Sequence, residues 1–575
     1  MKMTSSIGMA AFLVLAGLVA VFSTVFSHTA MKAAYMNWAY FLTIFLVGLW
    51  GATLCRFTGS TWGISQTLKQ YRWGWLGCGV VVGLVFLSVP VGFKVLSDEA
   101  NLVSVAQQMF RNHSGGQPII DYVYYQAHHP MRVDVPIRPL VFPFFVSLVY
   151  GVVGDGVLAA FAVNALCLFL FLCLVYVVVS KALEQVSGFA AVLFVVSQPV
   201  LTTTAASAGF DLLALLLLGV GVWLFWEQIR NPRSEVQALL WSTLLLFANV
   251  RYEASIICVV LVLGLVLAKR WLWSDLKDNP IPYAATLLVM LPMAWQRVLT
   301  LTKMEAPKGE LLFDLRRIVP HGGEFIEALF RFDFVYPYNN LANLLGIALA
   351  LFLGWWWYRK GRFSSESHER IALYTILIII VGMTVLYLIH DKGKVSFPTS
   401  ARFFLMPMLT MSLMPIVARR FFPDRVSANL LVGLGLVFVL LYHPVACKNE
   451  FMNRLNLIRR TTAMMEFLDE NLPSDGLVVS DRPIHYVALG YGSIGFNDLK
   501  ADVKGVLRHL RCGSIPKAII AQRLANKGEV VVNRNDLPAE IPIKLLGEKR
   551  VQNTEFLRFY EIEGGVSPPG SRDCP

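Results

Sequence analysis

Apolar residues along the chain gather into runs of about 17 to 24 positions broken by short polar stretches, the length a helix needs to cross a hydrocarbon core of ~30 Å. Fourteen such runs lie between about residues 8 and 444. The weakest is Arg138 to Val153 (RPLVFPFFVSLVYGVV), which is short and holds Pro139 and Pro143, so it is expected to lie at the interface. Thirteen crossings remain. Lys and Arg then collect on one side, at Arg56, Lys69 and Arg72, at Lys181, at Arg230 and Arg233, at Lys269 and Arg270, at Arg359, Lys360 and Arg362, and at Arg419, Arg420 and Arg425. The positive-inside rule makes that side, with the N-terminus, cytoplasmic. Outside fall the long loops 94–137 and 299–340, short apices at Asp211, Arg251 and Lys392, and the tail.

From about Cys447 the pattern changes. Runs at Gly476 to Val479, Glu529 to Val532 and Leu557 to Ile562 read as strands, and Thr461 to Asn471 and Ile515 to Asn526 as helices. The expected fold is an all-α polytopic membrane bundle of about 13 transmembrane helices with a C-terminal extracytoplasmic α/β domain. Its parts are 1–73, two additional N-terminal helices; 74–445, a transmembrane catalytic core; and 446–575, the outer domain.

Composition agrees with that pattern. Of 575 residues, 56% are hydrophobic and 15% charged, against roughly 25% charged in an average soluble domain; with a mean hydropathy of +0.58 this excludes a soluble globular fold. The net charge of +12 names no nucleic acid, because topology and anionic lipid headgroups both draw Lys and Arg to membrane proteins. Eight cysteines form no CxxC or Cys/His metal spacing. Cys512 and Cys574 fall in the outer domain, where they could pair or stay free thiols. The first run, Met9 to Phe26, lacks a small-residue cleavage site and is read as a retained helix.

Charged residues at the outer ends of spans are the chemical candidates, since charge near the bilayer is costly and tends to be functional. Asp98 and Glu99 open a helical stretch (SDEANLVSVAQQMFR), and Asp211 opens a span (GFDLLALLLL); helix capping and helix-dipole stabilisation are the structural alternatives for all three. Two such carboxylates suit general-base chemistry on an acceptor hydroxyl. Arg251, beside Tyr252 and Glu253, breaks a long apolar run without Gly or Pro, and Lys392, Lys394 and Arg402 stand on the outer side against the topological bias. Those four cations are candidates for an anionic ligand such as a lipid phosphate.

The order of these motifs resembles a known family. An acidic pair after a span (SDEANLVSVAQQMF) precedes an Arg-Pro interfacial segment (IRPLVFPFFVSLVYGVVG) and two spans, then an Asp-headed span (GFDLLALLLL), a charged apex (NVRYEAS) and a late ARFFLMPML. Over about residues 75 to 420 this is similar to the integral-membrane glycosyltransferases of the GT-C fold, nearest the protein O-mannosyltransferase and lipid A aminoarabinose transferase branch. Two departures stand beside the likeness: two additional N-terminal spans, and Arg251-Tyr252-Glu253 where the family usually has a Lys or Arg-Pro apex.

The resemblance implies a polyprenyl-phosphate-sugar donor and a lipid, glycan or protein acceptor at the outer face of the inner (plasma) membrane, with inversion. It makes Asp98 the first-loop base, Glu99 its companion, Asp211 the second-loop acid and Arg402 the residue near the donor phosphate. No cofactor is certain, and a divalent metal is left open. The rival classes are a transporter or flippase of an anionic lipid or lipid-linked glycan, and an O-antigen polymerase or ligase. The absence of internal repeats and of midplane charges favours an enzyme over a transporter.

Overall fold

The structure is a computed structural model. It describes residues 25–60, 69–94, 96–124, 127–278, 280–300, 311–332, 336–360, 367–395, 398–452, 457–527, 530–533, 541–552 and 555–564, together with Val14, Gly17, Leu18 and Val21. Among the described residues six helices are long and apolar enough to cross a membrane: His28–Gly59, Leu158–Ala182, Asp211–Arg230, Asn340–Arg359, Ser367–Ile389 and Ala428–Phe451. A seventh span forms if Gln185–Val196 and Pro199–Ala205, bent by 78°, count as one. The helices Arg72–Ser88, Val141–Val153, Ser234–Ala248 and Ala254–Leu267 are apolar but shorter. At 1.5 Å per residue, Val141–Val153 reaches only about 20 Å, so it falls short of a crossing. The expected number of thirteen is therefore coarser in the structure: a multi-helix membrane bundle, with most of the first expected span outside the described residues.

The break in the bent pair shows how this bundle holds polar side chains. Pro199 cannot donate a helical hydrogen bond, and the side chains of Ser197 and Gln198 at the break pair with residues at and inside the start of the helix Asn340–Lys360. Gln198 donates to Asn343 Oδ1 (2.8 Å), Asn339 Nδ2 donates to Ser197 Oγ (3.0 Å), and Asn339 N donates to Gln198 Oε1 (3.1 Å). All four residues are buried. Such interhelical hydrogen bonds satisfy groups that lipid could not.

The tail forms a sheet, and the sheet corrects the reading of Ile515 to Asn526 as a helix: Ala518–Lys527 is a strand. Its Ile519 and Ala521 pack into one hydrophobic cluster while Ala518 and Ile520 pack into another on the opposite face. A strand buried on both faces loses the alternating signature and shows a continuous apolar run. The eight strands are β1 Gln117–Tyr124, β2 Ala127–Asp134, β3 Leu477–Ser480, β4 Gly492–Gly495, β5 Ala518–Lys527, β6 Val530–Asn533, β7 Ile543–Gln552 and β8 Glu555–Ile562. Their order is β2-β1-β4-β3-β5-β8-β7, with β6 paired to β5. The hairpin β1–β2 comes from the loop 94–137 and joins the tail through Asp121 opposite Ser493. One hydrogen-bonded sheet cannot lie on two sides of a bilayer, so this loop and the tail share a side. Cys512 is disulfide-bonded; Cys574 lies outside the described residues.

Candidate active site

Asp98 sits in the first turn of the helix Leu96–Asn112, directly after the helix Arg72–Ser88 and a short link that is tied to the bundle by Gly92 N donating to Ala206 O (3.1 Å). Asp211 opens the helix Asp211–Arg230. The loop before it is fixed from below, where buried Asn164 donates to the carbonyls of Ser207 (2.6 Å) and Gly209 (2.8 Å). Gly209 leaves room there: a Cβ on it would stand 3.3 Å from Asp211 Oδ2 and 3.8 Å from Arg402 Nη1. Arg402 lies on a single 3-10 turn, Arg402–Phe404, leading into the helix Leu405–Phe421.

Arg402 bridges the two acids. Its Nη2 donates to Asp98 Oδ2 at 2.5 Å and its Nη1 to Asp211 Oδ2 at 2.8 Å. Each acid has a second arginine: Arg138 donates to Asp98 Oδ1 through Nη2 (2.8 Å) and Nε (3.2 Å), and Arg251 Nη1 donates to Asp211 Oδ1 (2.8 Å). Arg251 also stands 3.5 Å from Glu253. The ring of Phe210 holds this group together, with the guanidinium carbons of Arg138, Arg251 and Arg402 at 6.0, 5.6 and 5.9 Å from its centre, within reach of cation–π attraction. Behind it Tyr387 and Phe403 stack at 4.9 Å, and Arg251 lies over both.

These carboxylates are bound to charges and do more than cap helices. Asp98 is buried, which disfavours its charged form, yet the adjacent Arg138 and Arg402 outweigh burial and hold its carboxyl well below the ordinary carboxylate range. A small cavity of about 60 Å³ opens beside Asp211, Arg251, Glu253 and Arg402, walled by Leu215, Leu218, Ile257, Met383 and Met406. A lining that mixes charged with apolar side chains suits a ligand that joins an anionic group to hydrocarbon.

Asp98, Asp211, Arg251 and Arg402 are thus brought into one cluster from four separate stretches of chain. Glu99 is next to them in sequence and buried at 1% exposure, and it has a partner of its own. Lys392 and Lys394 stand apart, exposed on the turn after the helix Ser367–Ile389, where Lys392 N donates to His390 Nδ1 (3.0 Å). Among the described residues no group of three or more His, Cys, Asp or Glu gathers as a metal-binding set.

Three contributors, Arg138, Gln296 and Tyr252, lie outside the site set that the sequence predicts. The sequence shows Arg138 only as the Arg-Pro start of an interfacial segment and Tyr252 only as a neighbour of Arg251. Gln296 donates to the carbonyls of Pro136 (2.8 Å) and Arg138 (2.6 Å), and Tyr252 Oη lies 2.8 Å from Ile137 O and 2.6 Å from Gln296 Oε1, so the two residues hold the segment that presents Arg138. A buried Gln and Asn164 inside apolar spans were the available signals, since amides in a membrane helix need partners.

Comparison with known proteins bears out the resemblance to a glycosyltransferase family. Residues 137–296 match the family described as dolichyl-phosphate-mannose-protein mannosyltransferase. That stretch includes Arg138, Asp211, Arg251 and Gln296. Among solved structures, ArnT from Cupriavidus metallidurans bound to undecaprenyl phosphate is similar, at 12% identity over 87% of this chain and 100% of that one, with a TM-score of 0.45. The Archaeoglobus fulgidus oligosaccharyltransferase is similar at 12% identity over 82% and 76% (TM-score 0.36), and the mycobacterial arabinofuranosyltransferase AftD at 13% over 86% and 40% (TM-score 0.42). No curated protein matches the chain.

Proposed function

We propose that this membrane glycosyltransferase moves a sugar from a polyprenyl-phosphate donor to an acceptor hydroxyl, with inversion, at the outer face of the membrane. The observation that carries the reading is the bridging of Asp98 and Asp211 by Arg402, flanked by Arg138 and Arg251, with Asp211, Arg251 and Arg402 lining an apolar-walled cavity. The donor already carries its leaving group. What the protein must add is a base for the acceptor, cations for the departing phosphate and a surface for the lipid.

The carboxylates of Asp98 and Asp211 hold the guanidiniums that a phosphate needs. A donor phosphate entering beside Arg402 and Arg251 offers those forks a doubly acceptor-rich partner. As Arg402 turns toward it, Asp98 loses one of its two cations, the one on Oδ2, and that oxygen regains basicity. The acceptor oxygen then attacks the anomeric carbon from the face opposite the phosphate while Asp98 takes its proton, the C–O bond to the phosphate breaks, and polyprenyl phosphate leaves held by the arginines. Arg138 keeps the other oxygen of Asp98 and with it the direction of the carboxylate. Asp211 orients Arg251 and Arg402. The placement of loop 94–137 and the tail on one side agrees with the outer face that the basic clusters indicate for both.

The test is transfer of labelled sugar from a polyprenyl-phosphate donor in membranes holding equal amounts of wild-type, Asp98→Asn or Arg402→Ala protein. Loss in both variants is expected; unchanged transfer in both would remove the cluster from the reaction.

A further inference from the structure

The parallel strands of the sheet carry a second crevice. β4, β3 and β5 run parallel in that spatial order, with Ser480 opposite both Gly495 and Ala521. The chain leaves β3 toward β4 through the helix Pro483–Ala488, whose Tyr486 packs with Val478, Ile519 and Leu557 on one face. It then returns past β3 to β5 through the helices Phe496–Ala501 and Val503–Arg511, whose side chains pack with Val479 and Ile520 on the other face. The strand order therefore reverses at β3. In parallel sheets a gap opens at such a reversal, at the carboxyl ends of the strands, and ligands bind there.

A pocket lies at that place, lined among others by Arg460, Asp481, Arg482, His485, Ala521 and Arg523. Three arginines and a histidine face one aspartate. His485 is 3% exposed and neither ring nitrogen has a hydrogen-bond partner. Burial, with Arg460 and Arg482 adding to it, pushes the imidazole down to about 3. A neutral ring left without partners among cations is an unfavourable arrangement that an anion in the pocket would relieve, by accepting from the ring and from the guanidiniums together. The crevice also adjoins the membrane core: the His485 ring is 5.6 Å from that of Phe93, and Ala488 O accepts from Gln107 Nε2 (3.2 Å) on the helix that begins with Asp98.

We propose that this crevice is a second anion site, distinct from the Asp98 and Asp211 cluster, which takes a phosphomonoester group through Arg482, Arg523 and His485 with Arg460 behind them. The phosphomonoester is carried by a soluble glycan phosphate or by a lipid headgroup, and the chemistry of recognition is the same. The site does not depend on sugar transfer, so it stands or falls separately from the proposed activity.

Calorimetry of the purified full chain in phosphatidylcholine nanodiscs tests it, with inorganic phosphate as the probe. Arg482 is exposed and Arg523 half-buried, so the double variant Arg482→Gln, Arg523→Gln keeps the fold, which its melting temperature checks. The double variant is expected to bind phosphate roughly tenfold or more weakly at one class of site, as loss of charge-assisted bonds requires. His485→Phe, which keeps an aromatic ring and removes the nitrogens, weakens the same class. Arg402→Ala leaves that class untouched. Competition by glucose 1-phosphate assigns the group to a soluble glycan, and competition by phosphatidic acid placed in the nanodisc assigns it to a lipid. Identical phosphate isotherms in the wild type and the folded double variant would overturn the proposal, as would no phosphate binding to the Arg402→Ala protein.

Discussion

Replacing Asp98 with Asn separates the base from the cap. As a helix-opening residue Asn is nearly as good as Asp, so a capping role predicts almost no effect. In the structure Asp98 has a different occupation: two bonds from Arg138 on one oxygen and one from Arg402 on the other. Arg138, Arg251 and Arg402 are balanced by Asp98, Asp211 and Glu253, and Asp98→Asn leaves one positive charge uncompensated in that group. Removing one partner of a buried pair costs about 3–5 kcal/mol, and the 31% exposure of the Arg138 side chain puts the value toward the lower end. The variant should therefore melt earlier while remaining folded. Its transfer rate should fall by roughly 100- to 10,000-fold, the worth of a positioned base. Its affinity for polyprenyl phosphate should hold or rise, because Arg402 is released from one carboxylate. Label transfer at matched protein level, melting, and lipid-phosphate binding read the three effects. Near-normal transfer would refute the base, and weaker phosphate binding would refute the exchange of carboxylate for phosphate at Arg402.

The remaining predictions use the same geometry. The carboxyl of Asp98 is held below its unfolded value, so its contribution to stability is present above the ordinary carboxylate range near pH 4 and is lost as pH falls through the folded value, by up to about 1.4 kcal/mol per pH unit; acid melts of the wild type should steepen below that range and those of Asp98→Asn should not. Arg402→Lys keeps the charge but cannot reach two carboxylates with one planar fork, so donor use should fall more than tenfold (roughly 2 kcal/mol of charge-assisted bonding), and a wild-type rate would count against the bridge. Gln296→Leu removes both hydrogen bonds that this residue donates to the segment carrying Arg138 and leaves the one from Tyr252, which should cost about 1–3 kcal/mol of stability and reduce transfer without touching the donor; unchanged melting and transfer would show that the segment is held without Gln296. On the proposed mechanism the guanidiniums of Arg251 and Arg402 neutralise the phosphate themselves, so transfer should persist in a chelator, and loss restored by added magnesium or manganese would show that a metal takes part.

The membrane class was legible from the sequence because an apolar run of sufficient length has one outcome in lipid: every backbone group must be satisfied within the segment, and a helix does that locally. The charged residues at the ends of those runs were legible for the same reason, since charge near hydrocarbon survives only with a purpose or a partner. Asp98, Asp211, Arg251 and Arg402 could thus be singled out one by one. Their pairing could not, because Asp98 and Arg402 are 304 positions apart, and which acid meets which arginine is set by how the bundle packs. Arg138 escaped notice because an Arg before Pro at the start of an interfacial helix looks topological until Gln296 and Tyr252 turn its segment inward. The strand Ala518–Lys527 was missed because burial on both faces erases the period of two. The hairpin β1–β2 was missed because the strand that anchors it, β4, lies more than 350 residues further along the chain. Local periodicity determines elements that satisfy themselves. The sheet shared between loop and tail, and the charge cluster whose members neutralise one another, exist only once distant stretches meet, and the tertiary structure decided both.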